Sequence, residues 1–299
     1  MRNHFFDIHG HVAKYPYPIN EEGRMLFATP EELDKAYEKF GVTQAALMVI
    51  NNGEEYIPQS VGEIIDIANA SGGRFVPFCN IDPRVLGNRP DSKLEILLEH
   101  YKKLGCKGVG EVLPLMEFDD PKLLNLYRAT SACELPLLFD MTSNPDRPYG
   151  VSDEPGLVRL RRCLEMFPDL VFIGHGPGFW AEFGTLRHPD DRFTYIQYPI
   201  DGEGMIPKLM REYPNLYVDL SASSGLYAIS RDLDYTANFF KEFPDRVLYG
   251  MDICFADQYI GQSDLMNKLL DTGRIDEKVY DKIARENAWK LLELTENEH

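Results

Sequence analysis

Short apolar runs recur along the chain, and most are followed by a stretch with helical spacing. HFFDIH (4–9), QAALMVI (44–50), RFVPFCNI (74–81), CKGVGEV (106–112), PLLFDM (136–141), LVFIGH (170–175), NLYVDLS (215–221) and RVLYGMD (246–252) have the length and content of buried strands, eight in all. Between them the period changes from two to near 3.6. TPEELDKAYEKF (29–40) opens with Thr29 as N-cap, Pro30 at the first helical position and Glu32 three residues after the cap. Leu94, Leu97, Leu98, Tyr101 and Leu104 form one apolar stripe, and Leu157, Leu160, Leu164 and Phe167 form another that stops at Pro168. Leu209 and Met210 precede Pro214, Phe239, Phe240 and Phe243 precede Pro244, and a last helix is expected from about Asp276 through IARENAWKLLEL. Eight strands alternating with helices predict an α/β chain folded as a (β/α)8 TIM barrel, with long loops after strands 1 and 6. An open doubly wound sheet fits less well, because no glycine-rich phosphate loop is present.

Composition narrows this only a little. The 299 residues are 44% hydrophobic and 26% charged, enough for a large core and consistent with one barrel domain over 1–299. A formal charge of −17 argues against nucleic acid and against an anionic membrane face as partners. The five scattered cysteines, without a CxxC, suit reduced thiols, and MRNHFFDIHG lacks the apolar segment of a secretory leader. A cytoplasmic setting is the expectation, and no apolar run is long enough to span a membrane.

In a barrel of this kind the chemistry sits at the C-terminal strand ends. Alternation along DIHGH puts Asp7, His9 and His11 on one face, with the imidazoles as the beginning of a metal site. Hydrogen-bonded, inert histidines are the bland alternative. Asp7 would orient an imidazole or cap the turn. Glu111 on strand 4 would ligate metal or pair with Lys107 or Arg84. Asp140 on strand 5 would ligate or cap the following loop. His175 on strand 6, flanked by glycines, would approach a ligand or serve as a core histidine. Asp252 would bind metal and accept a proton, or cap a helix. Asp219, just before SASSG, reads as a turn residue.

DIHGH, FIGHG, LYGMD and the closing ARENAWKLL resemble the amidohydrolase superfamily, and more narrowly the amidohydrolase-related branch that includes aminocarboxymuconate-semialdehyde decarboxylase. The resemblance covers essentially the whole chain. It implies a metal-dependent barrel in which His9 and His11 are metal ligands and Asp252 is a ligand and catalytic base. It further implies that His175 is an acid/base or substrate-polarising residue close to the metal, or the ligand of a second metal. That branch usually carries a histidine at the end of strand 5, where this chain has Asp140, so a harder ion becomes more acceptable there. Glu111 is similar to a strand 4 glutamate that ligates metal in related barrel hydrolases. The full candidate metal set is His9, His11, Glu111, Asp140, His175 and Asp252, enough for one ion or two, with zinc expected and manganese or another divalent ion as alternatives.

A metal-dependent hydrolase of a small molecule, cutting an amide, lactone or similar bond with activated water, is the leading expectation. Metal-dependent non-oxidative decarboxylation of a carboxylated small molecule is the alternative, followed by a metal-independent lactonase and a catalytically dead binding barrel. The loops VAKYPYPINEEGRMLFAT and GPGFWAEFGTLRHPDDRFTYIQYPIDGEG would shape specificity. Arg24, Arg147 and Arg192 are candidates to hold a substrate carboxylate, and Trp180 to line an aromatic lid. The opposing expectation is that the lid aromatics bury the loop against the barrel or against a second subunit in a homodimer.

Overall fold

The computed structural model describes residues 4–142, 144, 146 and 149–294. Each expected strand is present: β1 (Phe5–Gly10), β2 (Val42–Leu47), β3 (Phe75–Pro77), β4 (Val109–Val112), β5 (Leu137–Asp140), β6 (Phe172–His175), β7 (Leu216–Asp219) and β8 (Val247–Leu248). They pair in parallel as two arcs, β1–β2–β3 and β8–β7–β6–β5–β4. At one seam Cys79 N–H donates to the Gly108 carbonyl (3.0 Å) and Gly110 N–H to that of Cys79 (2.8 Å). At the other, Ile8 N–H donates to the Tyr249 carbonyl (3.0 Å) and Asp252 N–H to that of His9 (2.9 Å). The architecture is the α/β barrel, with continuous ladders inside each arc and isolated bridges across the seams.

The chain starts its first helix as its sequence dictates. Thr29 and Glu32 form a capping box, Pro30 opens Pro30–Phe40, and Gly41, at φ 77°, ends it in the left-handed region. Two apolar layers result from strand alternation. Phe6, Ile8, Met48, Phe78, Leu138 and Ile173 fill the barrel's interior, while a larger core lies between strands and helices. The C-terminal segment is broken into Glu277–Asp281, Lys282–Glu286 and Asn287–Leu291, and its Ala288 and Leu292 join the interior cluster.

Alternation does not carry through β1. The register of β1 against β2 shifts between Asp7 and Gly10, a bulge that re-aims the strand end. Asp7 therefore points to the helical layer, where Tyr37 Oη–H donates to its Oδ2 at 2.7 Å. Its Oδ1 accepts the backbone N–H of His9 (2.9 Å) and of Met251 (2.8 Å), tying β1 to the chain after β8. Asp7 neither orients an imidazole nor shares the histidines' face. The loop after β1 carries a small hairpin, Tyr17–Pro18 against Met25–Leu26, and the loop after β6 folds into short helical turns. All five cysteines are free thiols, and no helix among the described residues is long and apolar enough to cross a membrane.

Candidate active site

His9 and His11 from β1, Glu111 from β4, Asp140 from β5, His175 from β6 and Asp252 just past β8 converge at the C-terminal mouth of the barrel. His9 Nε2 lies 3.0 Å from His11 Nε2, and both nitrogens are 3.4 Å from Glu111 Oε2. Asp252 Oδ1 is 3.3 Å from His11 Nε2 and 3.9 Å from His9 Nε2. His175 Nε2 reaches Glu111 Oε1 at 4.0 Å and Asp252 Oδ2 at 3.9 Å. Thr142 Oγ1–H donates to Asp140 Oδ1 at 2.8 Å. Arg84 is taken up by Asp82 and Glu54, so Glu111 pairs with the histidines and not with that arginine.

Local backbone explains the convergence. Asn80 Nδ2–H2 donates to the Glu111 carbonyl at 2.5 Å and to that of Val49 at 3.1 Å, fixing the end of β4. Asp252 adopts φ 55°, in the left-handed region, which turns its carboxylate back over the barrel. Gln258 braces that turn, with Nε2–H2 donating to the Asp252 carbonyl (2.9 Å) and Oε1 accepting Cys254 N–H (2.9 Å). Gly176 follows His175 at φ 97°, and a Cβ there would strike Asp140 Oδ1 and the Met141 backbone, so only glycine fits.

The charges are mutually dependent. Burial opposes ionisation of Glu111, yet His9 and His11 hold its carboxyl well below the usual range. Burial likewise pushes Asp252 up, and the same two imidazoles bring it below its ordinary value. Burial pulls His9 down, but Glu111, Asp252 and Asp219 raise it well above an ordinary histidine. Asp140 is pushed up to about 6, by burial first and then by the charge of Glu111. Protons on the imidazoles thus balance a nest of carboxylates.

A divalent cation fits this donor set. Ligand atoms of His9, His11 and Glu111 lie within 4.8 Å of one another, as do those of His9, His175 and Asp252, and of Glu111, Asp140 and His175. Mixed imidazole and carboxylate donors suit zinc, manganese or a similar ion. Above the cluster opens a cavity of about 630 Å³ whose floor includes His11, Glu111, Asp140 and Asp252. Aromatic residues Tyr17, Phe27, Tyr56, Tyr149 and Phe255 stand around it, and Phe27 stacks on His11 at 4.9 Å. No lysine or arginine is among its described lining residues.

The expected substrate-side residues are dispersed. Arg24 is half-exposed, 3.7 Å above the ring of Phe255 at the cavity rim and 3.9 Å from Asp257. Arg147 lies outside the described residues. Trp180 is 1% exposed, and its indole N–H donates to the Asp219 carbonyl at 3.0 Å. Phe179 and Phe183 are likewise buried, packing on Phe139 and Phe239. This part of the loop after β6 is held against the barrel. Arg192 is buried, with Nη2 3.9 Å from Met141 Sδ.

Two residues given little weight by sequence reasoning sit directly behind the histidines. Asp219 Oδ2 is 2.8 Å from His9 Nδ1 and 2.9 Å from His175 Nδ1, and Ser221 Oγ–H donates to it at 2.5 Å. Asp219 is also the turn residue expected, since its Oδ1 accepts Ser221 N–H at 2.9 Å. The available signal was a polar pair at i and i+2 closing an apolar strand, the same pattern that marks His9 and His11.

An amidohydrolase family model (Amidohydro_2) matches residues 1–294. The chain belongs to the amidohydrolase family. No curated protein matches it. Among solved structures, this amidohydrolase is similar to a dihydroxybenzoic acid decarboxylase from Polaromonas sp. JS666 with manganese and 2-nitroresorcinol bound, at 14% identity and TM-score 0.61 over 99% of each chain. It is similar to apo IDCase from Metarhizium anisopliae at 16% identity and TM-score 0.61 over 98% of each chain. A probable 2-pyrone-4,6-dicarboxylic acid hydrolase from Acinetobacter baumannii, with citric acid bound, aligns at 13% identity and TM-score 0.59 over 98% of this chain and 100% of that one. At these identities the likeness concerns the fold, and family membership makes the protein an enzyme of the amidohydrolase superfamily.

Proposed function

We propose that this amidohydrolase is a metal-dependent, non-oxidative decarboxylase of a small aromatic acid that carries a hydroxyl beside its carboxylate. The observation that carries the reading is the cavity: aromatic walls over a floor of one imidazole and three carboxylates, with no lysine or arginine among its described lining residues. An aromatic acid fits the walls, and its negative charge, set over the carboxylates of Glu111, Asp140 and Asp252, calls for a cation to bind there. The decarboxylases of like fold support the same chemistry. His9, His11, Glu111 and Asp252 would hold the ion, with Asp140 and His175 beside it. When bound, an ion there would supply positive charge against the substrate's acid and hydroxyl groups. The aromatic walls hold the ring flat and exclude water. His175 faces the site through Nε2, because its Nδ1 is engaged by Asp219. Burial and His9 oppose its protonation, but Asp219 and Asp140 raise its pKa, so a proton is available there. Transfer of that proton to the ring carbon, with cleavage of the carbon–carboxylate bond, releases carbon dioxide and leaves the arene.

Hydrolysis is the second reading, favoured by Asp252. Its carboxylate is held in the ionised form 3.3 Å from His11, well placed to take a proton from an attacking water. Both readings are tested together. Protein loaded with manganese or zinc is incubated with dihydroxybenzoates and with lactones and amides of similar size. Carbon dioxide released from a hydroxy acid supports decarboxylation. Ring-opened or deacylated product, without carbon dioxide from any hydroxy acid, refutes it in favour of hydrolysis.

A further inference from the structure

Behind the candidate ligands, one carboxylate oxygen on β7 serves two histidines, one from β1 and one from β6. Asp219 Oδ2 meets His9 Nδ1 at 2.8 Å and His175 Nδ1 at 2.9 Å. Ser221 Oγ stands 3.2 Å from the first nitrogen and 3.0 Å from the second while donating to Asp219 Oδ2. A hydroxyl has one proton, and here it goes to the carboxylate. Both imidazole Nδ1 atoms must then be donors, each facing two acceptors. All four residues are buried, so no bulk water competes.

We propose that Asp219, assisted by Ser221, is a shared positioning residue that locks His9 and His175 together in the Nδ1–H form and turns both Nε2 atoms toward the candidate metal and the reacting group. The inference rests on the metal-assisted reading above, but its geometry does not depend on which reaction follows. A carboxylate behind a ligating imidazole fixes ring and tautomer, and its loss typically costs 10–100-fold in metal affinity. Sharing one oxygen couples the two rings, so that a change at Asp219 disturbs the ion's ligand and the proton-handling histidine at once. The site also selects carboxylate over amide. Oδ1 accepts Ser221 N–H and Oδ2 accepts the imidazoles, so an asparagine would set its NH2 against a donor on one side or the other.

The test is proton NMR of the buried imidazole N–H groups, assigned with His9→Ala and His175→Ala, beside equilibrium dialysis with zinc. Wild-type protein should give two downfield, slowly exchanging Hδ1 resonances. Asp219→Asn should lose or strongly shift both, and bind zinc about 10–100-fold more weakly. Ser221→Ala keeps the main acceptor and should retain both resonances with a smaller change in affinity. If Asp219→Asn leaves both resonances and the affinity as in wild type, the inference is overturned. It is overturned as well if Ser221→Ala alone abolishes them, which would make the serine the anchor. If wild-type protein binds no metal, the metal-assisted reading fails, while the resonances still decide the role of Asp219.

Discussion

Tyr37→Phe isolates one bond that supports the site from outside the barrel. Tyr37 and Asp7 are both fully buried, and the tyrosine hydroxyl donates to Asp7 Oδ2 at 2.7 Å. The two backbone donors of Asp7 both go to Oδ1. Phenylalanine keeps the ring and leaves Oδ2 without its hydroxyl donor in a place water does not reach. A hydrogen bond to a charged group contributes about 1.5–3 kcal/mol, so a loss of about 2–3 kcal/mol is expected. For a chain of this size ~1 kcal/mol moves Tm by ~2 °C, which makes the drop about 4–6 °C. The deficit should also depend on pH. Asp7 sits at about 7, because burial outweighs the donors that lower it, Tyr37 foremost among them. Its folded pKa is raised above the unfolded value, so its carboxyl stabilises when protonated and that contribution is lost as pH rises through about 7. Removing the hydroxyl raises the folded pKa further. Wild type and variant should therefore differ least in mildly acidic buffer and most above neutrality. Thermal unfolding of metal-free protein across pH measures this. A variant that melts within ~1 °C of wild type at alkaline pH refutes the role assigned to the bond.

The other predictions concern the cluster itself. Asp140→Asn removes a buried carboxyl pushed up to about 6 by burial and Glu111, so the metal-free variant should melt above metal-free wild type once pH exceeds that value, and the order should reverse on adding metal. Chelation of the loaded protein should lower its stability by about 2.7 kcal/mol relative to metal at 100 times Kd, read as a fall in Tm. His11→Ala should abolish that difference, which elemental analysis can check independently. Gly250→Ala would drive a methyl into Asp219 Oδ1, with Ser221 Cβ only 2.8 Å away; a cost of about 1–3 kcal/mol and weakened metal binding are expected, measured by urea unfolding and dialysis.

Strand positions were legible because a barrel strand buried on both faces must be apolar along most of its length, and each of the runs from HFFDIH to RVLYGMD has such a centre. Candidate ligands were legible for the complementary reason: polar residues closing such runs stand out. What lay beyond reach depends on geometry that no local pattern encodes. The bulge in β1 after Asp7 puts His9 and His11 on a different face from Asp7. The contact of Asp219 with both imidazoles needs β1, β6 and β7 brought together, and SASSG beside it supplies a sufficient local explanation. Trp180 looked like a lid residue by composition, but its indole N–H meets the Asp219 carbonyl inside the core. Nothing in GPGFWAEF separates a loop folded over a cavity from one folded beneath it.

Closure of the barrel and assembly of the site are the same set of bonds. β1 meets the chain after β8 through Asp252 N–H on the His9 carbonyl, and through Asp7 Oδ1, which accepts N–H groups from both sides of the seam. The backbone of one candidate ligand thus hydrogen-bonds the backbone of another. Across this seam His11 Nε2 and Asp252 Oδ1 stand 3.3 Å apart. An ion bound by His9, His11 and Asp252 would bridge the seam from the inside, adding a cross-link where the backbone supplies few. Metal affinity and barrel stability would then be linked through these residues.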